Sequence, residues 1–411
     1  MSQENSVRIT TLVRKLLAVT QLFVTGVQIG PSGLIARVRP RWRKPRCSQC
    51  GRQAPCYDHR PARLWRHLSL GKMRIWLRYG PRRVRCPACG VKVEKVPWAE
   101  PGSGFTLAFE ELCAYLAQIT DQTSVTRLLG IDWRTVGVIV RRVVERRLDP
   151  DRLEGVRNIG IDEFSYRKRH RYLTVVVDHD RKRVIWAGPG RSGKTLEGFF
   201  VELGPERSQQ LENVTMDMSA GYLAVVRERV PEVEIVFDRF HVQRLASDAV
   251  DKVRRDLVRE AGDAELVKTI KGSRWPLLKK KRNLTDDQQL QLSEIEKQHK
   301  PFYRAYLLKE SLAEVLENRR ASQAREDLEQ WLSWASRSRL KPFVKAARTI
   351  RKHKEGVLAY IGLRLTNGLL EGLNNKIRVI ARRAYGFHSP EALMGMVFLC
   401  CGGITLAPPL P

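Results

Sequence analysis

No apolar run in this 411-residue sequence is long enough, and free enough of charge, to span a bilayer, and none reads as an amphipathic helix built for a lipid surface. Residues 1–20 lack the pattern of a secretory leader, because 9–17 is broken by Arg14 and Lys15 and no small-residue cleavage site follows. Internal repeats and low-complexity tracts are also missing. Acids are scarce: 44 Asp plus Glu stand against 74 Lys plus Arg, giving a net charge of +30. Such a surplus without a membrane-seeking element points to a polyanionic partner, and nucleic acid is the natural one. The chain is therefore expected to act in the cell interior, where eight cysteines suit metal binding better than a disulfide framework. A hydrophobic fraction of 43% is enough for real cores, and the length implies two to four folded units.

The acid shortage is sharpest between Arg41 and Lys95, where 16 Lys and Arg face only Asp58 and Glu94. Ahead of this stretch, 22–29 and 34–38 read as a β-hairpin over 1–40, turning at Gly30-Pro31-Ser32-Gly33. Within it lie Cys47-Ser-Gln-Cys50 and Cys86-Pro-Ala-Cys89, each pair followed by glycine. Two such knuckles supply four thiolates for one tetrahedral Zn²⁺, so 41–96 is expected to be a zinc ribbon. The 35-residue gap is wide for a ribbon, with 68–79 able to form a hairpin inside it and Cys56 and His59 as substitute ligands. Arg43, Arg46 and their basic and aromatic neighbours suit contact with a DNA backbone. Residues 94–103, with Pro97, Pro101 and Gly102, read as a linker.

Residues 104–150 then give a helix over 105–119, a second over 123–129, a tight turn at Gly130-Ile131-Asp132, and a third over 133–147. This is helix-turn-helix spacing, with Asp132 as N-cap of the last helix. Trp133, Arg134 and Thr135 fall at the helix start that reaches base edges in such motifs, and Arg141, Arg142, Arg146 and Arg147 along the backbone-following side.

From 156 to 244 the pattern is β-β-β-α-β-α-β, with carboxylates at strand ends. Asp162 closes the buried run Ile159-Gly160-Ile161, Asp217 follows 213–216, and Asp238 follows 234–237 with His241 three residues on. Strands one and four are neighbours at the centre of an RNase H-like sheet, so Asp162 and Asp217 are expected to converge. Paired carboxylates repel unless cations neutralise them, which is how Mg²⁺ or Mn²⁺ is held for phosphoryl transfer. Residues 245–360 read as a charged helical insertion without a catalytic pattern. In 361–400, helical spacing puts Glu371, Asn374, Asn375 and Arg378 on one face. Glu371 suits a third metal ligand flanked by phosphate-gripping groups, and Arg382 and Arg383 extend a basic run toward Tyr385-Gly-Phe387, either a wedge or a packed turn.

These features together resemble the ISL-three family of bacterial insertion-sequence transposases. The resemblance rests on the two CxxC knuckles, Leu-Leu-Gly-Ile-Asp-Trp-Arg-Thr-Val at 128–136, GIDEF at 160–164, Asp-Met-Ser at 217–219, Phe-Asp-Arg-Phe-His-Val at 237–242, Asn-Gly-Leu-Leu-Glu-Gly-Leu-Asn at 367–374 and Ala-Tyr-Gly-Phe at 384–387. It implies a DDE enzyme in which Asp162, Asp217 and Glu371 hold two divalent ions on a mixed α/β catalytic domain. Asp238 is an alternative second aspartate. Related Mutator-like enzymes keep a (Cys/Asp)-x₂-His element after strand five, and Asp238 with His241 resembles it. The resemblance further implies double-stranded DNA as partner (terminal inverted repeats and target), a homodimer or larger synaptic complex, and action at the bacterial nucleoid. Two other readings suit the same residues: an RNase H-like nuclease that cuts without joining, and a DNA-binding regulator on a dead nuclease fold.

Overall fold

The computed structural model describes residues 8–407 apart from 168–170, 261–266, 268, 269, 271, 280, 319, 364–367 and 388. It divides into two compact units, Met1–Leu148 with Ile404–Pro411, and Asp149–Gly403. Among the described residues no helix is long and apolar enough to cross a membrane.

The first unit opens with α1 (Ile9–Leu17), β1 (Leu22–Gly30), β2 (Gly33–Pro40), β3 (Cys56–His59), β4 (Arg63–Leu70), β5 (Met73–Tyr79), β6 (Arg82–Cys86) and β7 (Gly90–Val93). Both expected hairpins form, but they are not separate. Strands β2 and β5 pair in parallel, giving one four-stranded sheet in the order β1-β2-β5-β4, while β3-β6-β7 makes the ribbon. The boundary drawn at residue 40 therefore cuts through a continuous sheet. The expected linker at 94–103 is structural as well. Trp98 is buried edge-on against Trp65 and Tyr79, at 5.7 and 5.5 Å between ring centroids. Glu94 is buried against Arg82 at 2.7 Å, with the Tyr79 hydroxyl donating to it at 2.7 Å. Proline and glycine marked a break in regular structure, and nothing local could show that an aromatic core closes over it.

Three helices follow: α2 (Leu107–Ile119), α3 (Gln122–Leu129) and α4 (Trp133–Arg147). Each N-terminus is capped by a side chain that accepts a backbone N–H, from Thr106, Asp121 and Asp132 in turn. Gly130 ends α3 at φ 57°, the left-handed conformation that glycine adopts without steric cost. Val125, Leu129, Val136, Ile139 and Val143 are buried at helical spacing, which fixes the helix-turn-helix angle.

In the second unit, β8 (Asn158–Arg167), β9 (Arg171–Asp178) and β10 (Arg183–Pro189) form the meander. They are followed by α5 (Gly193–Leu203), α6 (Pro205–Ser208), β11 (Asn213–Met216), α7 (Ala220–Arg229) and β12 (Glu234–Phe237). The strand order is β10-β9-β8-β11-β12, with β11 parallel to β8 and β12 parallel to β11, as expected of an RNase H-like sheet. Helices α8 (Arg239–Glu260), α9 (Arg274–Leu278), α10 (Asp286–Gln298), α11 (Lys300–Glu317), α12 (Ala321–Arg337), α13 (Lys341–Lys352) and α14 (Lys354–Leu363) form the insertion, and α15 (Gly368–Arg383) and α16 (Pro390–Cys401) close the unit.

Period-two alternation sorts the sheet residues between two helical layers. Ile159, Ile161, Val176 and Val214 join the core shared with α5, α7 and the insertion. Phe164, Leu173, Val175 and Val177 pack with Ile377 and Ile380 of α15 and Leu393 and Val397 of α16. The insertion is thus continuous with the sheet core, and its aromatics Phe302, Tyr306, Trp331 and Phe343 are buried there. Its charge is managed internally too. Buried Lys309 donates to the carbonyls of Leu277 at 2.8 Å and Lys279 at 2.6 Å and pairs with Glu310 at 2.7 Å.

Candidate active site and zinc centre

The four cysteines of the ribbon converge: one sulfur each from Cys47, Cys50, Cys86 and Cys89 lie within 4.8 Å of one another. The 35-residue gap is taken up by β3, β4 and β5, so the hairpin at 63–79 joins the neighbouring sheet without disturbing the knuckles. Cys56 and His59 are exposed on β3 and outside the quartet. Burial opposes ionisation of Cys86, but hydrogen bonds from the Ala88 backbone and the neighbouring thiols bring it down to about 7. Four sulfur donors at this spacing suit tetrahedral Zn²⁺ in a closed structural site.

In the helix-turn-helix, Trp133 and Arg134 are exposed at the start of α4, with the guanidinium 5.6 Å from the indole. Thr135 is half-buried and Arg141 exposed. Arg142 differs from expectation. It pairs with buried Glu110 of α2 at 2.8 Å, and Arg146 reaches the same carboxylate at 3.3 Å. Arg147 pairs with Glu111. Three of the four arginines assigned to the DNA backbone therefore tie α4 to α2, because i+4 spacing that fits a phosphate path fits an acidic neighbour helix equally well. Arg43 and Arg46 are exposed on the ribbon side.

The candidate acids are placed by strand register. Thr215 of β11 lies beside Gly160 of β8, so two residues further on Asp217 comes alongside Asp162. Met216 pairs with Phe237 of β12, so Asp238 comes alongside Asp217. One row across three neighbouring parallel strands thus carries three aspartates. Asp162 is mid-strand rather than at a strand tip, since β8 continues to Arg167 in its antiparallel pairing with β9. Only its parallel ladder with β11 ends there. Burial raises the Asp162 carboxyl, and the Asp217 charge adds to this, against hydrogen bonds from the Glu163 backbone and Asn374 and the nearby His241.

The aspartates differ in what they already hold. Asp238 Oδ1 accepts the Phe240 N–H at 3.1 Å at the start of α8, and its Oδ2 lies 3.0 Å from His241 Nδ1. That hydrogen bond, against burial and with the charges of Asp238, Asp162 and Asp217, raises His241. Asp217 Oδ1 accepts the Ser219 N–H at 2.9 Å, and among the described residues its second oxygen has no hydrogen-bond partner.

Helix α15 meets this row at one point, where Asn374 Nδ2 donates to Asp162 Oδ2 at 2.6 Å. Asn374, expected among the phosphate-gripping groups, is therefore buried and turned to the carboxylate. Glu371 lies one turn earlier and is exposed, as are Asn375, Arg378 and Arg382, while Arg383 is half-buried. Asn375 accepts from Arg378 at 2.8 Å. Among the described residues the cysteine quartet is the only group of three or more potential ligands drawn together closely enough to share one ion, so Asp162, Asp217 and Glu371 do not form such a group.

A fourth acid, Glu163, is raised by burial and by the Asp217 charge and lies 3.8 Å from Arg191. Its position directly after Asp162 was the only sequence signal for it. Gly-Pro-Gly-Arg-Ser-Gly-Lys-Thr at 188–195 matches the spacing of a phosphate-binding loop. The geometry excludes that role. Ser192 Oγ caps the Thr195 N–H, and a Cβ at Gly193 would lie 2.9 Å from the Gly221 carbonyl, so the helix end is capped and packed.

Acids in a row across the parallel strands of such a sheet serve phosphodiester chemistry, and with DNA-binding modules ahead of them they define a DDE transposase. A transposase family model matches residues 159–397, the helix-turn-helix domain of transposase family ISL3 matches 94–144, and a zinc-finger model of the IS204/IS1001/IS1096/IS1165 transposases matches 43–89. The transposase for insertion sequence element IS1557 of Mycobacterium tuberculosis is 40% identical over 397 residues, 90% of this chain and 89% of its own. The transposase for IS1001 of Bordetella parapertussis is 31% identical over 348 residues, 84% of this chain and 86% of its own. This chain belongs to the ISL3 family of insertion-sequence transposases.

Proposed function

We propose that this transposase binds the terminal inverted repeats of its insertion sequence, cleaves there, and joins the freed ends to target DNA with Mg²⁺ or Mn²⁺. The observation that carries this reading is the aspartate row with α15 tethered to it through Asn374 and Asp162. The donor set fits a hard divalent cation: all-oxygen ligands, with Asp162 destabilised as an anion by burial and by the charge of Asp217. Asp162, Asp217 and Glu371 would hold the ions. Asp217 is preferred over Asp238 because the Asp238 carboxylate is already paired with His241, whereas one Asp217 oxygen has no hydrogen-bond partner among the described residues. Divalent ions held there would lower the pKa of a bound water and offset charge on the leaving oxygen.

The protein's own groups orient these ligands. Asn374 fixes the Asp162 carboxylate, and Asp238 holds His241 beside the row with a hydrogen bond that favours its charged form. The freed 3′-hydroxyl attacks a target phosphodiester in line and displaces the target strand's own 3′-oxygen, which leaves as a 3′-hydroxyl, without a covalent protein–DNA intermediate. Trp133, Arg134, Thr135 and Arg141 are assigned to the terminal repeat, and Arg43, Arg46, Arg378, Arg382 and Arg383 to DNA backbone. Two ends must be held together, so the working form is a homodimer or larger, acting at the nucleoid.

The test is strand transfer in Mg²⁺ or Mn²⁺ with DNA carrying the element's ends. Wild type is expected to yield joined products. Asp162→Ala, Asp217→Ala and Glu371→Ala should abolish them, and Asp238→Ala should only weaken them. Loss at Asp238 with survival at Asp217 moves the second ligand to β12. Cut but unjoined ends would establish a nuclease, and binding without cutting under either metal a regulator.

A further inference from the structure

One residue past the end of α15 is held in an unfavourable conformation and has nothing to pack against. Tyr385 is 96% exposed and has φ 52°, a left-handed backbone that costs a residue with a Cβ roughly 1 kcal/mol or more. Its conformation is enforced by its neighbours. Tyr385 N–H donates to Arg382 O at 3.0 Å and Gly386 N–H to Ala381 O at 3.1 Å, closing the end of α15. Phe387 on the other side is buried with Ile377, Ile380 and Leu393. The two aromatics of Tyr385-Gly386-Phe387 thus have opposite fates: Phe387 anchors the turn and Tyr385 is presented by it. Among the described residues no hydrogen bond or ring contact of the Tyr385 side chain is present.

Its position relative to the site supplies the second observation. Glu371, Asn375, Arg378 and Arg382 are all exposed and follow steps of four, three and four along α15, which places them on one face, and Tyr385 stands in the turn just past the C-terminal end of that helix. The stripe starts at the acid assigned to the metal, passes an amide and two guanidiniums suited to phosphates, and ends at an unpacked ring. From Glu371 to the helix end at Arg383, twelve steps at ~1.5 Å each span about 18 Å, so Tyr385 in the turn just beyond is reached after about six nucleotides at ~3.4 Å. A fully exposed aromatic at the end of a basic stripe is the arrangement on which unpaired bases stack. Strain concentrates where function requires it.

We propose that Tyr385 is a base-stacking residue, which holds an unpaired base of the bound DNA about six nucleotides from the cleaved phosphate while Arg378 and Arg382 follow the backbone between. This rests on the assignment of Glu371 and the terminal repeats to the active site. The energetic logic is that of a wedge: the cost of unstacking one base is offset by a bend that seats the scissile phosphate.

The experiment places 2-aminopurine at each of positions 3–9 from the cleavage site in end DNA and follows its fluorescence with full-length protein. Wild type and Tyr385→Phe are expected to change the signal at one or two adjacent positions near the sixth. Tyr385→Ala and Tyr385→Gly should leave it flat and lower strand transfer about 10- to 100-fold. Tyr385→Gly should at the same time raise the melting temperature by relieving the left-handed strain. An abasic nucleotide at the responding position should restore much of the Tyr385→Ala activity, an effect that a merely structural tyrosine would not produce. Binding of end DNA with identical signals in wild type and Tyr385→Ala overturns the proposal alone. Failure of wild type to bind end DNA overturns both the proposal and the functional reading beneath it.

Discussion

The ribbon gathers four cysteines and the RNase H-like sheet sets acids in a row, over very different distances and on very different cores. In the ribbon the sulfurs arrive as two local pairs, and the apolar cluster behind them is Cys47, Ala54, Val84 and Cys86, with Cys89 packed against it. Two of those core residues are metal ligands. In the second unit Asp162 meets an asparagine 212 residues away, on a scaffold whose core runs from the sheet through the insertion helices. A site built on so small a core needs its ion to fold, whereas a site built on a large core is shaped before its ions arrive. The same contrast explains the ligands. Cysteine thiolates serve an ion that is held permanently, and carboxylates serve ions that must admit DNA.

The sharpest way to break this comparison is to remove the zinc. Chelation or Cys86→Ser should release the amides of β6 and β7 to hydrogen exchange, since structural zinc in such small sites contributes on the order of 10 kcal/mol. Amides of β9, between two helical layers, should stay protected. Protection of β6 and β7 without zinc would show that the ribbon core suffices alone.

A smaller effect is expected within the first unit at Glu110, which is fully buried against Arg142 and Arg146 and accepts from Ser103 at 2.8 Å. Glu110→Ala should cost about 3–5 kcal/mol in denaturant unfolding, because it leaves Arg142 without a counter-charge and Arg146 with only the more distant Glu100 and Glu111. A cost below about 1 kcal/mol would return those arginines to the DNA-binding face.

His67 gives the pH dependence. Burial, against a hydrogen bond to the Leu17 backbone, brings it down to about 4, and its Nδ1 lies 2.9 Å from Thr106 Oγ1. Between pH 6.5 and 4 the unfolded chain binds the proton that the folded state refuses, so stability falls as the pH drops through that window. The full difference is about 3 kcal/mol. The first unit of wild type should lose that much relative to His67→Gln, and parallel pH profiles would assign the slope to other groups.

The smallest effect is expected where the catalytic row meets α15. Asn374→Ala should lower strand transfer about tenfold and the unfolding free energy by about 1 kcal/mol, with Asn374→Asp more damaging because it sets a further negative charge beside Asp162. Unchanged activity in both would mean that α15 is positioned by its apolar face alone.

Features carried by short segments could be read directly from the chain. Two CxxC pairs with following glycines, the Asp132 cap with the left-handed Gly130, and strands 213–216 and 234–237 with their terminal aspartates all follow from a few adjacent residues, where spacing and local hydrogen bonding decide the outcome. The order of the strands was legible because β-β-β-α-β-α-β admits few handed arrangements. Charge and side-chain direction were not. An arginine at helical spacing reads the same whether it meets phosphate or Glu110. Asn374 and Asn375 are adjacent amides, of which one is buried on Asp162 and the other exposed. Likewise a Pro- and Gly-rich stretch concealed Trp98, and Tyr385 and Phe387 differed only once the turn between them was formed. The sequence by itself determined which elements exist and which chemistry they carry, because those depend on neighbours along the chain. Only the tertiary structure decided which charges are spent internally and which face a partner, because that depends on what packs opposite, up to 212 residues away.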